Sequence, residues 1–232
     1  VSGNSTMKFL NKKNKKKIYA WDDEKNKGDK KNFYLFKKVL DKVDYIVISP
    51  GINIQKTKFK LELSKNKKKL ITDIDLFYMQ KIPVRSIVIT GTNGKSTACK
   101  LTQHILKANS LDALLGGNIG KPVLDLKIKK KSIVIIEASS FQLAHAKFIK
   151  PTYAAILNIS NDHLDWHNSI LNYKNSKFKI FSKQEAGDTA LLSNNKLIKH
   201  FKKKNYLSKL KIIKKNLLKN KIKKKITNNY LI

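Results

Sequence analysis

Apolar runs along the chain come in two grades. Before residue 84 they are short and interrupted by lysines: Ile18-Tyr19-Ala20-Trp21 and Tyr45-Ile46-Val47-Ile48-Ser49 predict strands, the second stopped by Pro50-Gly51, and Leu70-Ile71-Thr72 predicts a third. Asn32 to Asp41 carries apolar residues at helical spacing, and Ile74 to Gln80 predicts a short helix. From residue 84 the runs become continuous. Ser86 to Thr90, Ser132 to Ile136 and Tyr153 to Asn158 have the composition of strands buried on both faces, and helical patterns separate them at Lys95 to Ala108 and Ser140 to Phe148. Strands alternating with helices predict an α/β fold built on parallel sheets. Lys81-Ile82-Pro83 predicts the boundary between a unit over 1–83 and a second over 84–232.

At 232 residues and 41% apolar content the chain can bury substantial cores. Its one cysteine, Cys99, excludes an internal disulfide framework and a zinc site of several cysteines. No apolar run nears the roughly 18 residues of a membrane span, and Val1 to Ser5 lacks a signal-peptide layout, so the expectation is a cytoplasmic protein with no membrane partner. The absence of Met at position 1 suggests a start within a longer protein. A formal charge of +34 proposes a polyanionic partner. Yet of 50 basic residues only Arg85 is arginine, the side chain on which phosphate and base readout leans, so compositional drift toward lysine explains the charge better than a nucleic-acid surface. No acidic residue follows Asp188, and Lys196 to Lys225 interleaves lysines with apolar residues such as Phe201, Leu210 and Ile222, as solvated faces of edge elements do.

Strand Ser86 to Thr90 runs into Gly91-Thr92-Asn93-Gly94-Lys95-Ser96-Thr97 and then directly into a helix. In such a phosphate loop, glycines let backbone amides turn toward a phosphate, the helix N-terminus adds its dipole, the lysine reaches the terminal phosphates and the serine hydroxyl can ligate Mg²⁺. The general pattern would have glycine where Ile89 stands. Glu137 closes the next apolar run; a carboxylate there is costly unless a metal or a donor meets it. The third run ends in Asn158-Ile159-Ser160-Asn161-Asp162-His163-Leu164-Asp165-Trp166-His167, where open α/β sheets place ligand sites, although a polar surface loop would look similar. Asp22, ending the first predicted strand, is where a nucleoside is commonly read.

The phosphate loop, Gly116-Gly117-Asn118-Ile119-Gly120, Glu137 to Leu143 (E-A-S-S-F-Q-L) and Asn158 to Asp165 together resemble the Mur ligases of peptidoglycan synthesis, and among them the branch that adds D-glutamate to UDP-N-acetylmuramoyl-L-alanine. Ser49-Pro50-Gly51-Ile52 and Thr72 to Phe77 resemble the N-terminal domain of the same family, so the likeness runs to about Leu192. The resemblance implies an incomplete Rossmann-like N-terminal domain, a central P-loop-type domain and a C-terminal domain lying outside this chain. It also implies a monomer that consumes ATP with Mg²⁺ and forms the amide through an acyl phosphate; without the C-terminal domain, residues 1–232 alone are expected to be inactive. Carried over by position, it gives Lys95 and Ser96 to the ATP phosphates and a first Mg²⁺, and Glu137 and His163 to a second. Asn118, Ser139 and Gln142 approach the muramoyl-alanine substrate, Asp22 and Asp23 meet the uridine, and Lys177 of Tyr173-Lys174-Asn175-Ser176-Lys177 is a carbamylated lysine beside the metal. Other Mur-type or folylpolyglutamate-type ligases, and a basic P-loop protein binding nucleic acid, are the rival readings.

Overall fold

The computed structural model describes residues 2–13, 17–22 and 30–213. Helix α1 (Ser2–Lys12), helix α2 (Lys30–Lys42), strand β1 (Ile46–Val47), helix α3 (Lys60–Lys65), strand β2 (Leu70–Ile71) and helix α4 (Asp73–Met79) come first. β1 and β2 pair in parallel as a small two-stranded sheet. A second sheet of six parallel strands follows, in the order β4-β5-β3-β6-β7-β8. Its strands are β3 (Arg85–Thr90), β4 (Ala113–Gly117), β5 (Ile133–Glu137), β6 (Tyr153–Ile156), β7 (Thr189–Leu192) and β8 (Lys209–Ile212). Helices α5 (Lys95–Ala108), α6 (Ser140–His145), α7 (Leu164–His167), α8 (Ile170–Phe178) and α9 (Asn195–Lys203) connect them.

The period of two along each strand divides the core by face. Val88, Val134, Ile136, Ala154 and Ile156 pack on one side with residues of α4, α6, α8 and α9, whereas Ile89, Ile135 and Ala155 pack on the other against Cys99 of α5 and Ala113 of β4. Continuous Ile/Val runs are what a sheet covered on both sides requires. The chain leaves β3 toward β4 on one flank and leaves β6 toward β7 on the other, so the loops after β3 and β6 face each other across a topological switch point, where sheets of this kind hold ligands.

Some expected elements differ. Ile18 to Trp21 forms no strand: Trp21 packs in an aromatic cluster with Phe33, Phe36 and Phe59, with ring centroids 5.9, 5.2 and 5.2 Å away. Among the described residues the small sheet consists of β1 and β2, and this segment is not one of its strands. Helix α6 stops at His145 rather than near Phe148, because the chain turns there to place the Lys147 and Phe148 amides on the Asp75 carboxylate. Ser2 to Lys12, for which the sequence predicted no element, is helical, with Ser5 Oγ donating to Asp125 Oδ1 at 2.8 Å.

Helix α4 lies within the expected first unit, yet Ile74 and Phe77 belong to the core of the six-stranded sheet. A capping box starts it: Thr72 accepts from the Asp75 amide while the Asp75 side chain accepts from the Thr72 amide. Asp75, fully buried, also accepts from the Lys147 and Phe148 amides at 2.8 and 2.7 Å, and Lys147 Nζ donates to the carbonyls of Lys67 and Lys68. Among the described residues, no helix is long and apolar enough to cross a membrane.

Candidate functional site

Gly91 leaves β3 in a tight space: a Cβ there would sit 3.1 Å from Leu157 Cβ and 3.4 Å from the Asn158 backbone. Thr92 and Asn93 follow, and Gly94, at φ 79°, turns the chain into α5 in a left-handed conformation that favours glycine. Lys95, Ser96 and Thr97 make the first turn of α5, whose N–H groups have no partners within the helix and so offer donors and a positive dipole end to an anion. Lys95 Nζ donates to the Thr92 carbonyl at 2.9 Å, holding the ammonium against the loop.

Residue parity places Glu137. Along β5, Ile133, Ile135 and Glu137 share the face covered by α5, and Glu137 stands in register with Ile89 of β3 and Gly117 of β4. Its carboxylate lies on the phosphate-loop side of the sheet, and it acts electrostatically on Cys99, one turn into α5. Burial first and Glu137 second, with Lys95 opposing, push that thiol up to about 12. Glu137 is 1% exposed; Oε1 accepts from Asn118 Nδ2 at 2.8 Å, and Oε2 is buried with no hydrogen-bond partner. An orphaned buried carboxylate oxygen is the acceptor a hard cation would fill. Gly117, at φ 105°, lets the adjacent chain approach, since a Cβ there would lie 2.4 Å from the Glu137 carbonyl oxygen.

His163 follows β6 in the left-handed region (φ 51°), a strained setting of about 1 kcal/mol or more for a residue with a side chain. Its ring lies 4.7 Å from that of Phe141, and Nδ1 is 3.4 Å from Asp162 Oδ1. Lys177 is 1% exposed, a rare state for lysine. Its Nζ donates to the Gly91 carbonyl at 2.9 Å and to Thr90 Oγ1 at 3.4 Å, and stands 4.6 Å from the centre of the Tyr173 ring. Burial, reinforced by Lys95 and opposed by Asp162, brings this amine down to about 7. Glu137, Ser96, His163 and Lys177 thus all stand on elements that emerge at one sheet edge. No group of three or more His, Cys, Asp or Glu gathers among the described residues, so a metal here would take hydroxyl and water oxygens as well, as Mg²⁺ commonly does.

The remaining expected residues lie as follows. Ser139 and Gln142 form the capping box of α6: Gln142 Oε1 accepts from the Ser139 amide at 3.1 Å, and the Ser139 hydroxyl accepts from the Gln142 amide at 3.2 Å. Asn118 is exposed beyond β4, its amide donating to the Glu137 carbonyl at 2.8 Å. Asp22 is exposed in the stretch 17–22, and Asp23 lies outside the described residues, as do the lysines of the basic segment beyond residue 213. Sequence reading gave no role to Asn158 or to Tyr173. The Asn158 side chain accepts from the Thr92 and Asn93 amides at 3.1 and 2.9 Å and donates to the Asn93 carbonyl at 3.0 Å. Tyr173 OH pairs with Thr92 Oγ1 at 3.0 Å. The signal lay only in Asn158 heading the polar cluster after its strand.

Fold and site define an α/β chain with a P-loop-type parallel sheet. Residues 89–230 match the Mur ligase middle domain. The chain is 37% identical over 203 residues to the UDP-N-acetylmuramoylalanine--D-glutamate ligase of Aquifex aeolicus (strain VF5), covering 87% of this chain and 46% of the relative. It is 41% identical over 172 residues to the protein of the same name from Buchnera aphidicola subsp. Acyrthosiphon pisum (strain Tuc7), covering 71% and 38%. Among solved structures it aligns with UDP-N-acetylmuramate:L-alanyl-gamma-D-glutamyl-meso-diaminopimelate ligase from Neisseria meningitides, with 14% identity, 85% of this chain and 68% of the other covered, and a TM-score of 0.49. The chain belongs to the Mur ligase family, and it spans less than half the length of those two curated relatives.

Proposed function

We propose that the chain is the nucleotide-binding part of an ATP-dependent ligase that joins D-glutamate to UDP-N-acetylmuramoyl-L-alanine. The observation that carries this reading is Glu137, with one oxygen held by Asn118 and the other buried and unpartnered at the strand end beside the phosphate loop. The choice of substrate comes from relatives 37% and 41% identical that bear that name.

In this reading Gly91, Thr92, Asn93, Gly94, Lys95, Ser96 and Thr97 hold the triphosphate of ATP, Lys95 swinging from the Thr92 carbonyl to the terminal phosphates. Ser96, Glu137, His163 and Lys177 as its carbamate would hold Mg²⁺, which supplies positive charge where two anions must meet. Lys177 is suited to that modification, because an amine lowered to about 7 is largely neutral and nucleophilic in mildly alkaline solution. Asn118, Ser139 and Gln142 line the approach of the muramoyl-alanine carboxylate, and Asp22 and Asp23 the uridine. That carboxylate attacks the γ-phosphate with release of ADP to give an acyl phosphate, and the amine of D-glutamate then attacks the acyl carbon, forming the amide with loss of inorganic phosphate and a proton. Residues 1–83 then form the uridine-side unit and 84–232 the ATP-side unit, working as a monomer in the cytoplasm. Product formation from ATP and UDP-N-acetylmuramoyl-L-alanine, measured across a panel of amino acids with the intact polypeptide that contains this chain, tests the reading. D-glutamate should be the amino acid added; preference for another, or glutamylation of a folate, would assign the chain to a different branch.

A further inference from the structure

The phosphate loop has little with which to brace itself. Ile89 stands where the general pattern has a glycine, and the amides of Thr92 and Asn93 find their partners outside the loop. Both donate to Asn158 Oδ1, and Thr92 also donates to the Asn158 carbonyl at 3.0 Å. Asn158 Nδ2 closes the pairing by donating to the Asn93 carbonyl, and the Ser160 amide donates to Thr92 Oγ1 at 3.0 Å. One planar carboxamide therefore serves as acceptor for two backbone donors and as donor to the carbonyl between α5 and β3. Aspartate would set an oxygen against the Asn93 carbonyl, and alanine would offer nothing. The segment doing this continues, two residues past Ser160, into Asp162 and His163.

We propose that Asn158 is a positioning residue: its carboxamide fixes residues 91–93 so that the amides after them face a bound phosphate, and it couples occupancy of the loop to the placement of residues 159–168. This rests on the nucleotide reading above. Coupling of this kind is reciprocal, so nucleotide must order the segment as much as the segment orders the loop. Tyr173, through its hydroxyl on Thr92, is a second and weaker tie between the same parts.

The test is calorimetric titration with ADP, combined with amide hydrogen exchange, on the wild-type chain and the Asn158→Ala, Asn158→Asp and Tyr173→Phe variants. We expect ADP affinity to fall about tenfold to a hundredfold in Asn158→Ala, at least as far in Asn158→Asp, and about threefold to tenfold in Tyr173→Phe. ADP should slow exchange at residues 159–168 in wild type and leave it unchanged in Asn158→Ala. Wild-type-like affinity and protection in Asn158→Ala would overturn the proposal, as would a lowered melting temperature with unchanged ADP affinity, which marks a structural tie only. If Asn158→Ala does not fold, Tyr173→Phe carries the same two readouts. A wild-type chain that binds no ADP overturns the nucleotide reading and the coupling with it, whereas binding indifferent to Asn158 overturns the coupling alone.

Discussion

Replacing Asp75 by alanine should remove the largest single polar anchor between α4 and the six-stranded sheet. The carboxylate is fully buried and accepts from the amides of Thr72, Lys147 and Phe148 at 2.9, 2.8 and 2.7 Å. Alanine strips the buried Thr72 amide and the part-buried Lys147 and Phe148 amides of their acceptor, at up to about 1–3 kcal/mol each with the buried one costing most, and breaks the α4 capping box. Two effects reduce the sum. Burial outweighs the hydrogen bonds and raises the Asp75 carboxyl, so its ionised form carries a cost that alanine removes, and water can enter the space left behind. We expect Asp75→Ala to lose about 3–5 kcal/mol, and Asp75→Asn, which keeps one acceptor oxygen and the volume, about 1–2 kcal/mol. Urea unfolding with a shared m-value measures both. An Asp75→Ala variant within about 1 kcal/mol of wild type would refute the assignment of Asp75 as the anchor.

Further outcomes follow from the same geometry. His145 and His167 are lowered to about 4 from 6.5, first by burial and then by Lys179 and Lys177 respectively. The unfolded chain takes up these protons near 6.5 and the folded chain only near 4, so stability should decline as pH falls from 6.5 toward 4. Asp73 and Asp75, raised above 3.8, oppose that decline at its lower end. Urea midpoints between pH 7.5 and 4.5 check the slope, and a flat series would contradict it. Gly117→Ala should cost about 2–3 kcal/mol, because a Cβ would meet the Glu137 carbonyl at 2.4 Å in a left-handed backbone; thermal melting reads the loss. In the intact polypeptide that contains this chain, Lys177→Ala should lower ligation about a hundredfold and recover part of it with added short carboxylates; rates indifferent to the substitution would leave Lys177 a buried structural amine.

Strands β3, β5 and β6 were legible because each lies in a continuous apolar run, β-branched in β3 and β5, as burial on both faces demands. Edge strand β8 (Lys209–Ile212) was not, since exposed lysines occupy half of it and pairing to β7 alone makes it a strand. Ile18 to Trp21 read as a strand for the opposite reason: propensity suited it, but among the described residues Trp21 packs on aromatic rings and the segment pairs in no sheet. In the site, Lys95 and Glu137 were legible from their places after and at the end of a strand. The bracing by Asn158 and Tyr173 depends on β6 lying beside β3, and that adjacency is set by strand order, which local pattern does not encode. Ser139 and Gln142 show the converse, for the short string that suggested substrate contact is also a helix-capping sequence, and in the structure it caps.

The phosphate loop and Glu137 together form the proposed metal–triphosphate cleft. Calorimetric titration of ATP into wild type, Lys95→Ala and Glu137→Gln, each with and without Mg²⁺, addresses it most directly. Wild type should bind ATP more tightly with Mg²⁺; Lys95→Ala should bind about tenfold more weakly in either condition; Glu137→Gln should keep metal-free binding and lose the gain that Mg²⁺ brings. Equal affinity and an equal Mg²⁺ effect in all three proteins would contradict the placement of the cleft at these residues.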